Sequence, residues 1–152
     1  MRFENKRDMP MITKTGLHAV RAMAALARLP AGAFAGAGRV AQEIDAPPNY
    51  LSKLLKTLAR EGLVESQKGL GGGFRLAKEP RRITLFDVVD VFEHLNRWSG
   101  CILGRRECSD LRACVVHDKW KRARTAYLQL LQTTTIADLV RTGEPALLTD
   151  TG

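Results

Sequence analysis

The chain has 152 residues, 45% of them hydrophobic, with a formal net charge of +8 and a pI near 9.9. That length suits one globular domain with a real core, no apolar run approaches the ~20 residues of a membrane helix, and the charged stretch from Met1 to Pro10 lacks the apolar centre of a secretory signal. A cytoplasmic protein with reduced cysteines is expected. The positive excess is one-sided: 15 Lys/Arg oppose 7 Asp/Glu from Met1 to Ile83, whereas Thr84 to Gly152 carries 9 of each. Charge gathered in one half suggests a polyphosphate partner. A membrane surface is a poorer match, because no helix sets a Lys/Arg face against bulky aromatics.

Residues 1–11 are polar and unpatterned and are expected to form a flexible tail. The first helix has Thr13 or Thr15 as its N-cap, and Leu17, Val20, Met23, Ala24 and Ala27 recur at helical spacing as far as Leu29. Pro30 and Gly32 stop it. Arg39 to Ile44 forms a short helix with Val40, Ala41 and Ile44 inward, and Ala46-Pro47-Pro48 makes a turn. The next helix runs from Pro48 to Glu61 and closes at Gly62. Leu51, Leu54, Leu55 and Leu58 form its buried stripe, opposite Asn49, Ser52, Lys53, Lys56 and Arg60. A short helix, a tight turn and a second helix with a basic outer face suggest helix-turn-helix.

Two strands, Leu63–Lys68 and Phe74–Ala77, flank Gly69-Leu70-Gly71-Gly72-Gly73. The glycine run is not a phosphate cradle, since a P-loop must open a helix and Phe74-Arg75-Leu76 continues as strand. A tight turn is the plain alternative, and a DNA-contacting wing is the functional form of the same geometry. The polar face of Pro48–Glu61 alone would pass for a solvated surface; the adjoining helix, the wing and the one-sided charge favour DNA. Asn49, Ser52 and Lys53 are candidates for reading bases, Lys56, Lys68 and Arg75 for neutralising phosphates, and Tyr50 and Gly69 are counted with them as DNA-binding residues.

Thr84, with Asp87 three residues later, opens a helix carrying Leu85, Val88, Val89 and Phe92 and ending near Leu95. From His117 or Asp118 to Val140 a single long helix is expected. Trp120, Ala123, Tyr127, Leu130, Thr134 and Ala137 form a heptad-like seam, widened by Leu128 and Leu131, so that the helix touches both its own core and a second copy. Trp120, Tyr127, Leu130 and Leu131 are the expected dimer contacts.

All three cysteines lie between these helices, at Cys101, Cys108 and Cys114, with His117 following at C-x-x-H. Three cysteines cannot all pair as disulfides. Buried small hydrophobes are the plain reading, but the surrounding Gly, Arg, Glu, Asp and Ser are poor core material. A Cys3His zinc site is the second alternative, although structural zinc sites usually pair ligands at C-x2-4-C. Gaps of six and five suit an iron–sulfur cluster better. His18, among apolar residues, reads as packed, and His94 as a helix-end residue.

These segments together resemble one family. I-T-K-T-G-L-H-A-V-R-A-M, P-P-N-Y-L-S-K-L-L-K-T-L-A-R-E-G-L-V, K-G-L-G-G-G-F-R-L-A, I-T-L-F-D-V-V and the cysteines with C-V-V-H-D-K-W are similar to the Rrf-two family of winged-helix transcriptional regulators, of the IscR and NsrR type. The likeness runs from Met11 to Val140. It implies a homodimer clasped by the long helix on a palindromic double-stranded DNA operator. It also implies that Cys101, Cys108 and Cys114 ligate an iron–sulfur cluster with His117 as fourth ligand, 2Fe-2S preferred over 4Fe-4S. The first cysteine gap is one residue longer than usual in the cluster regulator, and Leu17 stands where other members place a carboxylate ligand.

The expected fold is mainly α with a small β-hairpin wing: a winged helix-turn-helix domain plus a long C-terminal dimerisation helix. Residues 1–11 form a tail, 12–83 the DNA-binding unit, 84–143 the connecting helix, cysteine loop and dimer helix, and 144–152 a second tail. The expected function is a non-enzymatic, dimeric regulator, a repressor by preference, whose operator binding follows iron, redox or nitric oxide status through the cluster. The alternatives are a metal-free regulator controlled by thiols or by a partner protein, and a zinc-binding regulator. A redox enzyme is disfavoured, because no C-x-x-C pair exists.

Overall fold

The structure, a computed structural model, describes residues 12–95, 102–103 and 109–142. Cys101 and Cys108 lie outside the described residues, as do both expected tails.

Helix α1 (Lys14–Ala27) is the centre of the molecule. Thr13 is its N-cap, its side chain accepting from the Gly16 N–H at 3.1 Å. Ala19, Ala22, Ala24 and Ala25 are buried along it with Val20, Met23 and Leu26. These small side chains let α2 (Ala37–Glu43), α3 (Pro48–Arg60), α4 (Leu85–Glu93) and α6 (Ile136–Arg141) approach α1 from several sides. The helix-turn-helix is α2–α3. Its turn uses Asp45 at φ +55°, and the Ala46 N–H closes back on the Ala41 carbonyl at 2.9 Å. Pro48 stands in the first turn of α3, where its missing N–H leaves no bond unmade. The four leucines of α3 are all buried, each contributing roughly 1.5–3 kcal/mol of apolar burial.

Strands β1 (Val64–Gln67) and β2 (Gly73–Leu76) pair antiparallel, with Val64 opposite Leu76, Glu65 opposite Arg75 and Ser66 opposite Phe74. Ala35, in the loop after α1, bonds both ways with Phe74 (2.9 and 2.7 Å), so the wing is rooted on the core by a third piece of extended chain. Gly73 is required there, since a Cβ would lie 2.4 Å from the Ala35 carbonyl oxygen.

Thr84 and Asp87 form a complete capping box opening α4. The sequence suggested one helix from His117 to Val140, and the structure corrects this: α5 (His117–Thr133) stops and α6 begins at Ile136. Thr134 is extended, and Thr135 with Asp138 makes a second capping box. The side chains of Thr135 and Asp138 satisfy two backbone N–H groups that a continuous helix would bond to preceding carbonyls. The break lets Ile83 and Leu85 bond to Ile136 and Thr134 (2.9 Å each) and brings Ile136 into the core. One apolar cluster therefore contains residues from both sides of the expected boundary at Ile83, Val64 and Leu55 with Val88, Leu131 and Ile136. No helix among the described residues is long and apolar enough to cross a membrane.

Candidate functional site

The outward face of α3 follows from its leucine stripe. With Leu51, Leu54, Leu55 and Leu58 inward, Asn49, Lys53, Lys56 and Arg60 are exposed and Ser52 is half-buried. Thr57 braces this face, donating to the Lys53 carbonyl (3.0 Å) and accepting from Arg60 (3.3 Å). Tyr50 is placed differently from its neighbours. It is half-buried, its hydroxyl 3.1 Å from His18 Nδ1 and its ring edge-on to that imidazole at 5.4 Å. The pair ties the start of α3 to α1, as expected of a packed His18.

On the wing, Lys68 and Gly69 are exposed, while Arg75 is held in place. Its Nε donates to Glu65 across the hairpin at 2.8 Å, and its guanidinium lies 4.5 Å from the centroid of Phe34. The sequence did not single out Glu65 and Phe34. The opposite-charge pair becomes legible only once the register sets Glu65 against Arg75.

The residues of the cysteine-containing segment are only partly described. Cys114 is half-buried, and its carbonyl accepts the His117 N–H at 3.1 Å. His117 is buried at the start of α5, with Nε2 2.8 Å from Asp110 Oδ1. The bond to His117, then Lys121 at 3.3 Å, hold the Asp110 carboxyl below its usual range. An ionised carboxylate only accepts, so the His117 Nε2–H donates to it. A carboxylate on one ring nitrogen is the usual means of orienting an imidazole that ligates through the other. The donor types fit a thiolate-bound metal group.

Of the expected dimer contacts, Leu131 is fully buried in the chain's own core. Trp120 and Tyr127 are half-buried, and Leu130 is 55% exposed. Burial, then the nearby Glu93 charge, push the Tyr127 hydroxyl above its ordinary value. Leu111 and Val115, beside Cys114, are almost wholly exposed (96% and 92%). Glu93, the last residue of α4, reaches the start of α1: its carboxylate accepts the Thr13 N–H, and a Cβ on Gly16 would lie 2.8 Å from it. Sequence reasoning missed this link, because it joins residues 80 apart.

A family model described as "Rrf2: Iron-dependent Transcriptional regulator" matches residues 12–142. A protein of Aquifex aeolicus described as an HTH-type transcriptional regulator is 36% identical over 103 residues, covering 66% of this chain and 72% of its own. The HTH-type transcriptional regulator NsrR of Shouchella clausii is 38% identical over 100 residues, 60% of this chain and 62% of its own. Among solved structures, CymR, the global cysteine regulator of B. subtilis, superposes with a TM-score of 0.76 at 28% identity, covering 90% of this chain and all of its own. IscR of T. potens superposes with a TM-score of 0.72 at 26% identity, over 90% of each chain.

Proposed function

The chain belongs to the Rrf2 family, transcriptional regulators rather than enzymes, and from that premise we propose a cytoplasmic homodimer that binds a palindromic operator under control of an iron–sulfur cluster. The observation that carries this reading is the pairing of Cys114 with a buried His117 already oriented by Asp110, on a chain whose α3 and wing expose Lys53, Lys56 and Lys68. Residues 12–83 are the DNA-reading unit, and residues 84–143 sense and dimerise.

In this reading Lys53, Lys56 and Lys68 displace counterions from phosphates, giving affinity that falls steeply with salt. Asn49 and Ser52, on the first turns of α3, choose bases in the major groove. Tyr50 fixes α3 on α1 through His18, and Arg75 stiffens the wing between Glu65 and Phe34. Trp120, Tyr127 and Leu130 face a second copy.

Cys101, Cys108, Cys114 and His117 are the proposed ligands, 2Fe-2S preferred. When bound, such a group supplies a link between thiolates and imidazole that iron scarcity, oxidation or nitric oxide can break. In this reading the route from that link to the DNA begins at the end of α4. The α4 end holds the start of α1 through Glu93, and α1 holds α3 through His18 and Tyr50. A shift at the end of α4 thus turns both α3 helices of a dimer, and an operator accepts only one half-site spacing.

The test is anaerobic purification with absorbance, iron and acid-labile sulfide analysis, then operator binding before and after chelation. The expected result is a coloured protein holding both elements, with altered affinity once iron is removed. A colourless protein holding only zinc, or binding indifferent to iron removal, would sink the cluster while leaving the family untouched.

A further inference from the structure

Leu70 projects from the tip of the hairpin, 110% exposed, more than any other large apolar side chain among the described residues. Solitary surface leucines are common and signify nothing alone. How this one is held sets it apart. Gly69 and Gly71 on either side have φ of +92° and +75°, and the Gly72 N–H closes the turn onto the Gly69 carbonyl at 3.0 Å. A Cβ on Gly72 would lie 2.3 Å from the Gln67 carbonyl oxygen, so the turn is packed against its own backbone. Its root is fastened by the buried Phe74 bonded to Ala35 and by Arg75 between Glu65 and Phe34. The tip thus carries a bulky apolar group into water on a tied support, beside the exposed Lys68.

We propose that Leu70 is an apolar wedge that enters the DNA minor groove beside the half-site met by α3 and parts one flexible base step. The inference rests on the DNA-binding reading above. Leucine belongs to the side chains that partly unstack a step and kink the duplex toward the major groove. TA and CA/TG steps yield most easily, so the wedge gives a sequence preference at a position where no hydrogen bond reads a base. Lys68 supplies the neighbouring phosphate contact.

The test uses the full-length holoprotein and a duplex that the wild-type protein enriches from a random-sequence library. 2-Aminopurine is placed in turn at each step of the flank facing the wing. Wild-type protein is expected to raise its fluorescence at one step, and to bind about fivefold more weakly when that step is replaced by a stiff A-tract step. Leu70→Ala should weaken binding about tenfold, silence the fluorescence and erase the step preference, with the salt slope unchanged because no phosphate contact is lost. Leu70→Met should keep all three signatures. Equal binding and equal step preference for Leu70→Ala, or no fluorescence change with wild-type protein, overturns the wedge and leaves DNA binding standing. Failure of wild-type protein to enrich any duplex overturns the DNA reading itself, and the wedge with it.

Discussion

Helix α3, thirteen residues long, hides Leu51, Leu54, Leu55 and Leu58 within its own chain, whereas the seventeen-residue α5 hides only His117 and Leu131. Both helices are amphipathic, yet their apolar faces have different fates. The stripe of α3 is spent on the core, which fixes the helix and leaves its polar face free for another molecule. The seam of α5 divides: Leu131 goes inward, Leu130 stays 55% exposed, and Leu111 and Val115 stand out near its start. A helix held by its own core keeps its place in a monomer. In the proposed dimer the divided seam of α5 is completed by a second copy, and its position can then respond to what happens beside it.

Substitutions in the two helices should separate these roles. The largest effect is expected from Leu55→Ala, which opens a cavity in a fully buried site and should lower unfolding free energy by about 2–5 kcal/mol, read from urea titration. Leu130→Glu should leave far-UV circular dichroism intact but raise the dimer dissociation constant about a hundredfold, read by sedimentation, because it places a charge at a proposed interface centre. A stable dimer in that variant would break the contrast. Lys53→Ala and Lys56→Ala should each leave stability unchanged and reduce the slope of log affinity against log salt by about 1.

Two smaller effects probe the break between α5 and α6. Thr135→Ala removes the cap of α6 and should destabilise by about 1 kcal/mol. Asp138, bonded first to the Thr135 backbone and then to its hydroxyl, has its carboxyl held below the ordinary value. A carboxyl depressed on folding adds stability that is present above its unfolded value of about 3.9 and lost as pH falls through the lower folded value. Wild-type protein should therefore melt above Asp138→Asn at neutral pH, the gap closing in acid below about pH 4. A gap independent of pH would remove the charged cap from the account.

Local patterns made much of this protein legible in advance. The leucine stripe of α3, the Thr84 and Asp87 box and the glycine-tipped hairpin all depend on neighbours within a few residues, and each stands where the sequence put it. The heptad-like seam continues through Thr134 to Ala137 and implies one C-terminal helix, whereas the threonines break it into α5 and α6. The Thr135 and Asp138 box is equally local and could have been found.

Sequence alone determined the helices of the helix-turn-helix, the glycine-tipped hairpin, where the charge lies and which residue types could serve as soft metal donors, since these follow from residue type and short spacing. Only the tertiary structure decided that Tyr50 turns to His18, that Arg75 is tied between Glu65 and Phe34, that Glu93 holds the start of α1 and that Leu131 belongs to the core. The physical reason is that such contacts are made between elements. They depend on how the helices and the wing pack around α1, which no periodicity within a single segment specifies.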